Sequence, residues 1–372
     1  MIAIGPGPLF PPAFSSFRPG EVKWLLADYS ALSLERPASI REVDIQSGRA
    51  HYAEDLPIEV MPTMRHTDLF DRAMRRNAAL IAACVSTLAG RIAAEVADSS
   101  VVVVSLARAG VPPGIWVSYE LSKAWGKQVD HYAVSIVRDR GIDMRAMAWI
   151  AAHHDPANVI FVDGWTGKGT IRRELTQSLA ELDRLGIRIP DRLAVVADPA
   201  HVADMAGTTD DILVPTACLN STSCGLVSRT VLPQAVAPRH SYHGARLYPE
   251  FAASDRSRDV VDCVTAKLGG ARRGVATGDV RDRPRGFGSD VARTVAERLG
   301  IVRLNLAKPG IGETTRVLQR RVPEVIFVHP DYRGHGDLEH VHQLADDRGS
   351  PIRYEDTHPY RCVGVVRWMG QA

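Results

Sequence analysis

The residues with the clearest chemical potential are Asp163 and the loop after it, in VIFVDGWTGKGT (159–170). Four apolar residues deliver a carboxylate to the end of a strand. Thr166, Gly167, Lys168, Gly169 and Thr170 then form a tight turn into a helix. Glycines let successive amides close around an anion, the helix N-terminus adds positive potential, and threonine hydroxyls add donors. A carboxylate directly before such a loop can accept from sugar hydroxyls. A P-loop reading fails, because Gly169 stands where a hydroxyl residue is needed and the spacing from Gly164 is too short. A plain strand–turn–helix connection is the competing interpretation.

A second loop, SLARAGVPPG (105–114), also leaves a short β-branched strand, and taken alone its Arg108 reads as a surface arginine in a turn. Between the two lies VRDRGID (137–143), whose Arg138 and Arg140 read either as an anion-facing pair or as a solvated charge run. The five cysteines, Cys84, Cys218, Cys224, Cys263 and Cys362, are odd in number and scattered, with no CxxC pair. That pattern fits reduced thiols rather than a disulfide framework or a structural zinc site. A cysteine hydrolase needs a thiolate beside a base. Cys218 or Cys224 with His240 or His243 is the candidate set near one loop, although buried core cysteines have the same appearance.

These loops need a scaffold. The 3.6-residue period over 67–97, carried by Leu69, Ala73, Leu80, Cys84, Leu88, Ile92 and Val96, predicts a long helix. Strands are expected at 101–106, 131–137, 159–164, 193–199 and 211–217, with helices at 114–125, 143–152 and 170–185. This alternation predicts an α/β fold with a doubly wound parallel sheet, and both glycine-bearing loops fall at its carboxyl edge, where such sheets bind ligands. Residues 264–290 turn rich in Gly, Arg and Asp and read as a linker. A second, smaller α/β domain follows, with helices at 290–300, 312–321 and 337–349 and strands at VRLNL, EVIFVHP and PIRYED. The expected division is 1–265, linker 266–289, and 290–372.

With 372 residues, 45% hydrophobic and 24% charged, the chain can bury a core in each part. A net charge of +2 gives no general attraction to nucleic acid. The proline-broken N-terminus lacks a basic signal region, and no apolar run reaches a membrane span, so a cytoplasmic protein without membrane contact is expected.

Taken together, the strand, acid and TGKGT loop resemble the signature of type I phosphoribosyltransferases, with Gly164 in place of the usual second acid. SFRPGEVKWLL (16–26), SLARAG, SIVRDRGID, FVDGWTGKGT and ACLNSTSCGLVSRT (217–230) resemble the phosphoribosyltransferase-like proteins of bacterial tellurium-resistance and stress gene clusters, some of which are named cysteine protease StiP. The resemblance implies a pentosyl-transferring enzyme that binds phosphoribosyl pyrophosphate or a ribose phosphate with Mg²⁺ and makes or breaks a ribosyl bond with an unidentified acceptor. Asp163, Arg108, Arg138 and Arg140 would be catalytic. Ser105, Ala109, Gly110 and 166–170 would hold the donor, and Asn220 and Arg229 the acceptor. A homodimer is compatible with it. A cysteine hydrolase using Cys218 or Cys224 is the alternative, and a non-catalytic ribonucleotide or RNA sensor a further one.

KPGIGETTRVLQRR (308–321), with the segments after it, resembles the pelota-type RNA-binding domain. That resemblance implies that Lys308, Gly310, Gly312, Glu313, Thr314 and Arg316 meet structured RNA, with Arg320 and Arg321 extending the positive face. His329, His335, His340 and His342 lack metal-ligand spacing.

Overall fold

The structure, a computed structural model, describes residue 2 and residues 4–233, 241–270 and 287–369. Its larger sheet contains β1 (Lys23–Leu25), β5 (Ser100–Ala107), β6 (Gln128–Val137), β8 (Val159–Trp165), β9 (Leu193–Ala197) and β10 (Met205–Thr208), in the order β1-β6-β5-β8-β9-β10 and parallel throughout. β7 (Gly141–Ile142) turns back antiparallel on β6. Two short pairings lie outside, β2 (Ala27–Asp28) with β11 (Gly244–Ala245) and β3 (Glu35–Arg36) with β4 (Leu56–Pro57). The central strands are buried on both faces, so they read as unbroken apolar runs such as VVVV and VIFV.

Six helices accompany this sheet: α1 (Ala38–Gln46), α2 (Met64–Glu95), α3 (Val111–Trp125), α4 (Met144–His153), α5 (Thr170–Arg184) and α6 (Ser257–Thr265). α2 begins at Thr63, whose side chain accepts from the His66 amide at 3.3 Å. Its buried stripe runs through Ala78, Ile81, Val85 and Leu88, while Leu80, expected on that face, is 38% exposed. α2 is long and apolar enough to cross a membrane by length and composition, which the sequence reading did not anticipate; 56% of that window is buried inside the protein. α3 starts three residues earlier than predicted, because Pro112 and Pro113 fit the first turn, where a helix has no use for their missing N–H.

The smaller sheet holds β12 (Ala307–Pro309), β13 (Pro323–Val328), β14 (Ile352–Tyr354) and β15 (Cys362–Val366), in the order β12-β15-β13-β14, beside α7 (Phe287–Arg298), α8 (Ile311–Arg320) and α9 (Glu339–Asp347). One hydrophobic cluster joins the two sheets: α2 residues Phe70, Met74 and Ile81 belong to it together with Ile311, Leu318, Val341 and Leu344. Most of the expected linker, 271–286, lies outside the described residues.

Two expectations fail. Residues 211–217 are not a strand: Asp211 caps α8, and Pro215 opens a short 3-10 turn. The strand is β10, four residues containing Gly207, where a Cβ would lie 2.5 Å from the Cys84 carbonyl oxygen. VRLNL is likewise not a strand, and β12 follows it at 307–309.

A cationic cleft as the candidate functional site

The strand order β6-β5-β8 places a topological switch between β5 and β8, where the chain departs to opposite sides and leaves a crevice at the carboxyl ends. Ser105 pairs with Val162 across these strands, so the loops carrying Arg108 and Asp163 open into the same cleft, a cavity of about 1020 Å³. Twelve arginine and lysine side chains line it against five carboxylates, which makes it a site for anions.

The first loop divides its work. Arg108 is 6% exposed; Nη1 donates to the Val227 carbonyl at 2.8 Å and lies 3.6 Å from Glu59. Glu59 in turn accepts from the Ser221 amide at 2.5 Å. Burial works to raise the Glu59 pKa, but Arg108 and Arg320 overcome it and hold the carboxylate ionised. Gly110 does not present its amide to a ligand: it donates to Leu106 O at 3.0 Å, and a Cβ there would sit 2.5 Å from Val162 O. Ser105 also faces inward. Its hydroxyl is 2.7 Å from His131 Nε2, and His131 Nδ1 lies 2.6 Å from the Glu21 carbonyl. A carbonyl only accepts, so Nδ1 carries the proton and Nε2 accepts from Ser105. Burial pushes this imidazole down to about 4, and it is neutral. Of the predicted donor-holding residues here, Ala109 lines the cleft.

In the second loop, Asp163 accepts from its neighbour's Gly164 amide at 2.7 Å, and burial pushes its carboxyl up to about 6 against that bond and Arg316. Thr166 is structural: its amide donates to Ala197 O at 3.1 Å and its hydroxyl to Asp198 at 2.5 Å. Lys168 is a tether, with Nζ donating to Leu304 O at 2.9 Å and Ala307 O at 3.3 Å, and burial drives its pKa down to about 7. No described hydrogen bond uses the amides of Gly167, Lys168, Gly169 or Thr170, and all four residues line the cleft. Residues 137–143 form a tight hairpin turn closed by Arg140 N to Val137 O at 3.1 Å. Arg138 lines the cleft from it, with Nε 3.3 Å from Asp139; Arg140 is exposed and does not line it.

The opposite wall comes from the C-terminal sheet. Both Asp211 oxygens accept from the Ile311 amide, at 3.0 and 3.2 Å, and one also accepts from Arg361 N at 2.9 Å. The Tyr360 hydroxyl donates to Gly167 O at 2.8 Å. Gly312 is pressed on the Trp165 ring, and the Arg316 guanidinium lies 4.5 Å over that ring while pairing with Glu313 at 2.7 Å. The motif expected to meet RNA therefore faces the 166–170 loop. Arg320 Nε donates to Asn220 at 2.5 Å, and Arg229 donates to the Tyr52 carbonyl at 2.8 Å with its guanidinium 4.2 Å over the Tyr52 ring. Tyr52, Glu59 and Asp211 were missed from the sequence. None sits in a motif, and Asp211 was absorbed into a supposed strand.

Cys218 and Cys224 are both buried. Burial pushes Cys218 up to about 12. It also raises Cys224, but there Arg108, Arg320 and Arg316 act in the opposite sense. The described hydrogen bonds place no imidazole on either sulfur. His243 Nδ1 is instead 2.9 Å from Ser135, and His240 lies outside the described residues. Three buried hydroxyls of the same segment, on Thr216, Ser221 and Thr222, have no hydrogen-bond partner in the protein. Unspent buried donors are costly and concentrate where a site uses them. For Mg²⁺ the fit is poor: among the described residues no group of three or more His, Cys, Asp or Glu could hold a metal, and cations outnumber the carboxylates that line the cleft.

Residues 15–265 match the family described as tellurite-like stress resistance cysteine protease StiP, and residues 287–368 match the PELOTA RNA binding domain. The protein named cysteine protease StiP from Acinetobacter baylyi is 33% identical over 344 residues, 88% of each chain. A crystallised aminotransferase from Eubacterium rectale covers 89% of this chain and 90% of its own at 12% identity with a TM-score of 0.20, too distant for argument. These matches overturn the expected phosphoribosyltransferase activity, and with it the transferase chemistry on phosphoribosyl pyrophosphate with Mg²⁺: the family and its relative are named for cysteine proteolysis, which was the alternative. The chain belongs to the StiP family.

Proposed function

We propose that the protein is a cysteine hydrolase that cleaves peptide bonds in substrates drawn to the cleft by negative charge, with Cys224 as the nucleophile. The observation that supports this reading is the setting of Cys224, in a segment with three unspent buried hydroxyls: burial raises its thiol, and Arg108, Arg320 and Arg316 act against that rise. Guanidinium neighbours favour thiolate as a protonated imidazole does. Cys218 lacks any such influence.

The chemistry is acyl transfer. The Cys224 thiol loses its proton, the sulfur attacks the amide carbon, and the C–N bond breaks as the amine departs with a proton. Water then cleaves the thioester and restores the thiol. Hydroxyls of Thr216, Ser221 and Thr222 are the available donors for the oxyanion formed at the carbonyl, a task usually worth a few kcal/mol. Cys224 is 3% exposed, so the 218–229 segment has to open for attack. The Gly167–Thr170 amides are assigned to the anionic groups of the substrate.

The test is acyl trapping. The full chain is mixed with the p-nitrophenyl ester of N-acetylglutamate, quenched in acid and mapped by mass spectrometry. The acyl mass is expected on Cys224 and is expected to vanish in Cys224→Ala. Acylation confined to half-exposed Cys263 would refute the assignment.

A further inference from the structure

The cleft contains cations that the protein itself does not balance. Arg41, Arg316 and Arg321 are each paired with a carboxylate, through Asp55, Glu313 and Glu42. Arg229, Arg320, Lys308 and Lys168 have no carboxylate partner among the described ion pairs; Arg320 is satisfied by a neutral amide oxygen and Arg229 by carbonyls. Partly buried charges without counter-charges are costly, and a fold retains them where an outside ion completes the set.

These cations share the cleft with one phenol. Tyr52 is 36% exposed and lines the cleft, and its hydroxyl makes no described hydrogen bond. Arg229 lies over its ring, and its charge couples to Arg320, Arg321, Lys308 and Arg316 from the C-terminal unit. Burial acts to raise the phenol, but the surrounding guanidinium groups, Arg229 first, pull it down to about 8.

We infer that Arg229, Arg320 and Lys308, which line the same cleft as Tyr52, form a subsite for a phosphate group, with the C-terminal unit supplying half of it. The planar guanidinium of Arg320, whose described hydrogen bond uses Nε, suits phosphate oxygens, and Arg229 adds its charge from over the Tyr52 ring. Lys308 supplies a point charge, and the phenol donates to the bound dianion. The group can arrive on a free phosphorylated small molecule or on a phosphorylated side chain of a protein substrate. The α8 cations are thereby committed to the cleft rather than to an outward RNA face. This inference is independent of the hydrolase assignment, because it concerns binding alone.

The experiment is calorimetric titration of the full chain at low salt with inorganic pyrophosphate, with a phosphoserine peptide, with the same peptide unphosphorylated, and with a structured RNA. Pyrophosphate, the phosphopeptide or both bind, and the unphosphorylated peptide does not; which of the two binds identifies the source. Arg320→Gln weakens that binding at least about tenfold, while Arg188→Gln, an exposed surface change with its side chain 87% accessible, leaves it unchanged. A second readout guards against mere unfolding of the variant. At a pH just above 8, the bound anion offsets the cations, raises the phenol and lowers the tyrosinate absorbance of wild type but not of Tyr52→Phe. No binding of either phosphorylated probe, equal binding by Arg320→Gln, or binding of RNA alone would overturn the inference.

Discussion

Asp163 is a partly buried carboxylate that destabilises the fold once it ionises. Its carboxyl is pushed up to about 6 from the ordinary 3.8, chiefly by burial. The folded state therefore binds a proton more tightly than the unfolded chain. The associated stability is full below pH 3.8 and is lost as pH rises through 6. Asp163→Asn keeps an acceptor for the Gly164 amide and removes the charge. It is expected to raise the melting temperature above pH 6, by at most about 3 kcal/mol of stability, and to change little below pH 3.8. Thermal unfolding across that range checks the sign, and a variant less stable at pH 7 would contradict it. At this scale the sequence was readable where a motif fixed a position. Arg108 and Asp163 share the cleft as their loops implied. Ser105, Gly110, Thr166 and Lys168 were misread because a motif does not show whether a polar group is already spent on the protein itself.

Among the elements, strands buried on both faces and strongly periodic helices were legible, because burial leaves continuous or 3.6-spaced apolar residues in the chain. β10 and β15 were not. Each is short and contains a glycine that serves close packing: Gly364 stands where a Cβ would be 3.2 Å from the Thr314 Cα. The junction of α8 with the β8 loop was also hidden, since it depends on residues far apart in sequence. Gly312 is its tightest point; a Cβ would lie 2.2 Å from the Trp165 ring. Gly312→Ala is expected to cost about 1–3 kcal/mol through overpacking, and Trp165→Leu in the same chain to recover most of it. Denaturant titration of the single and double variants reads this directly; an additive double variant would mean that the contact does not constrain α8.

Across the whole molecule, a continuous core passes from α2 into α8 and α9, while Tyr360, Lys168 and Asp211 cross-link the two sheets at the cleft. Calorimetric unfolding is expected to show one cooperative transition, and two well-separated transitions would contradict this coupling. That cohesion brings the cationic wall of the C-terminal unit against the switch point of the large sheet, and the proposed reading has charge there select a substrate for Cys224. The most direct measurement is cleavage of an acidic unfolded protein, such as dephosphorylated casein, by wild type, Cys224→Ala and Cys218→Ala, with products sequenced by mass spectrometry. Wild type and Cys218→Ala should produce the same fragments, and Cys224→Ala should be slower by at least about a thousandfold. Undiminished cleavage by Cys224→Ala, or no cleavage by wild type, would contradict the account.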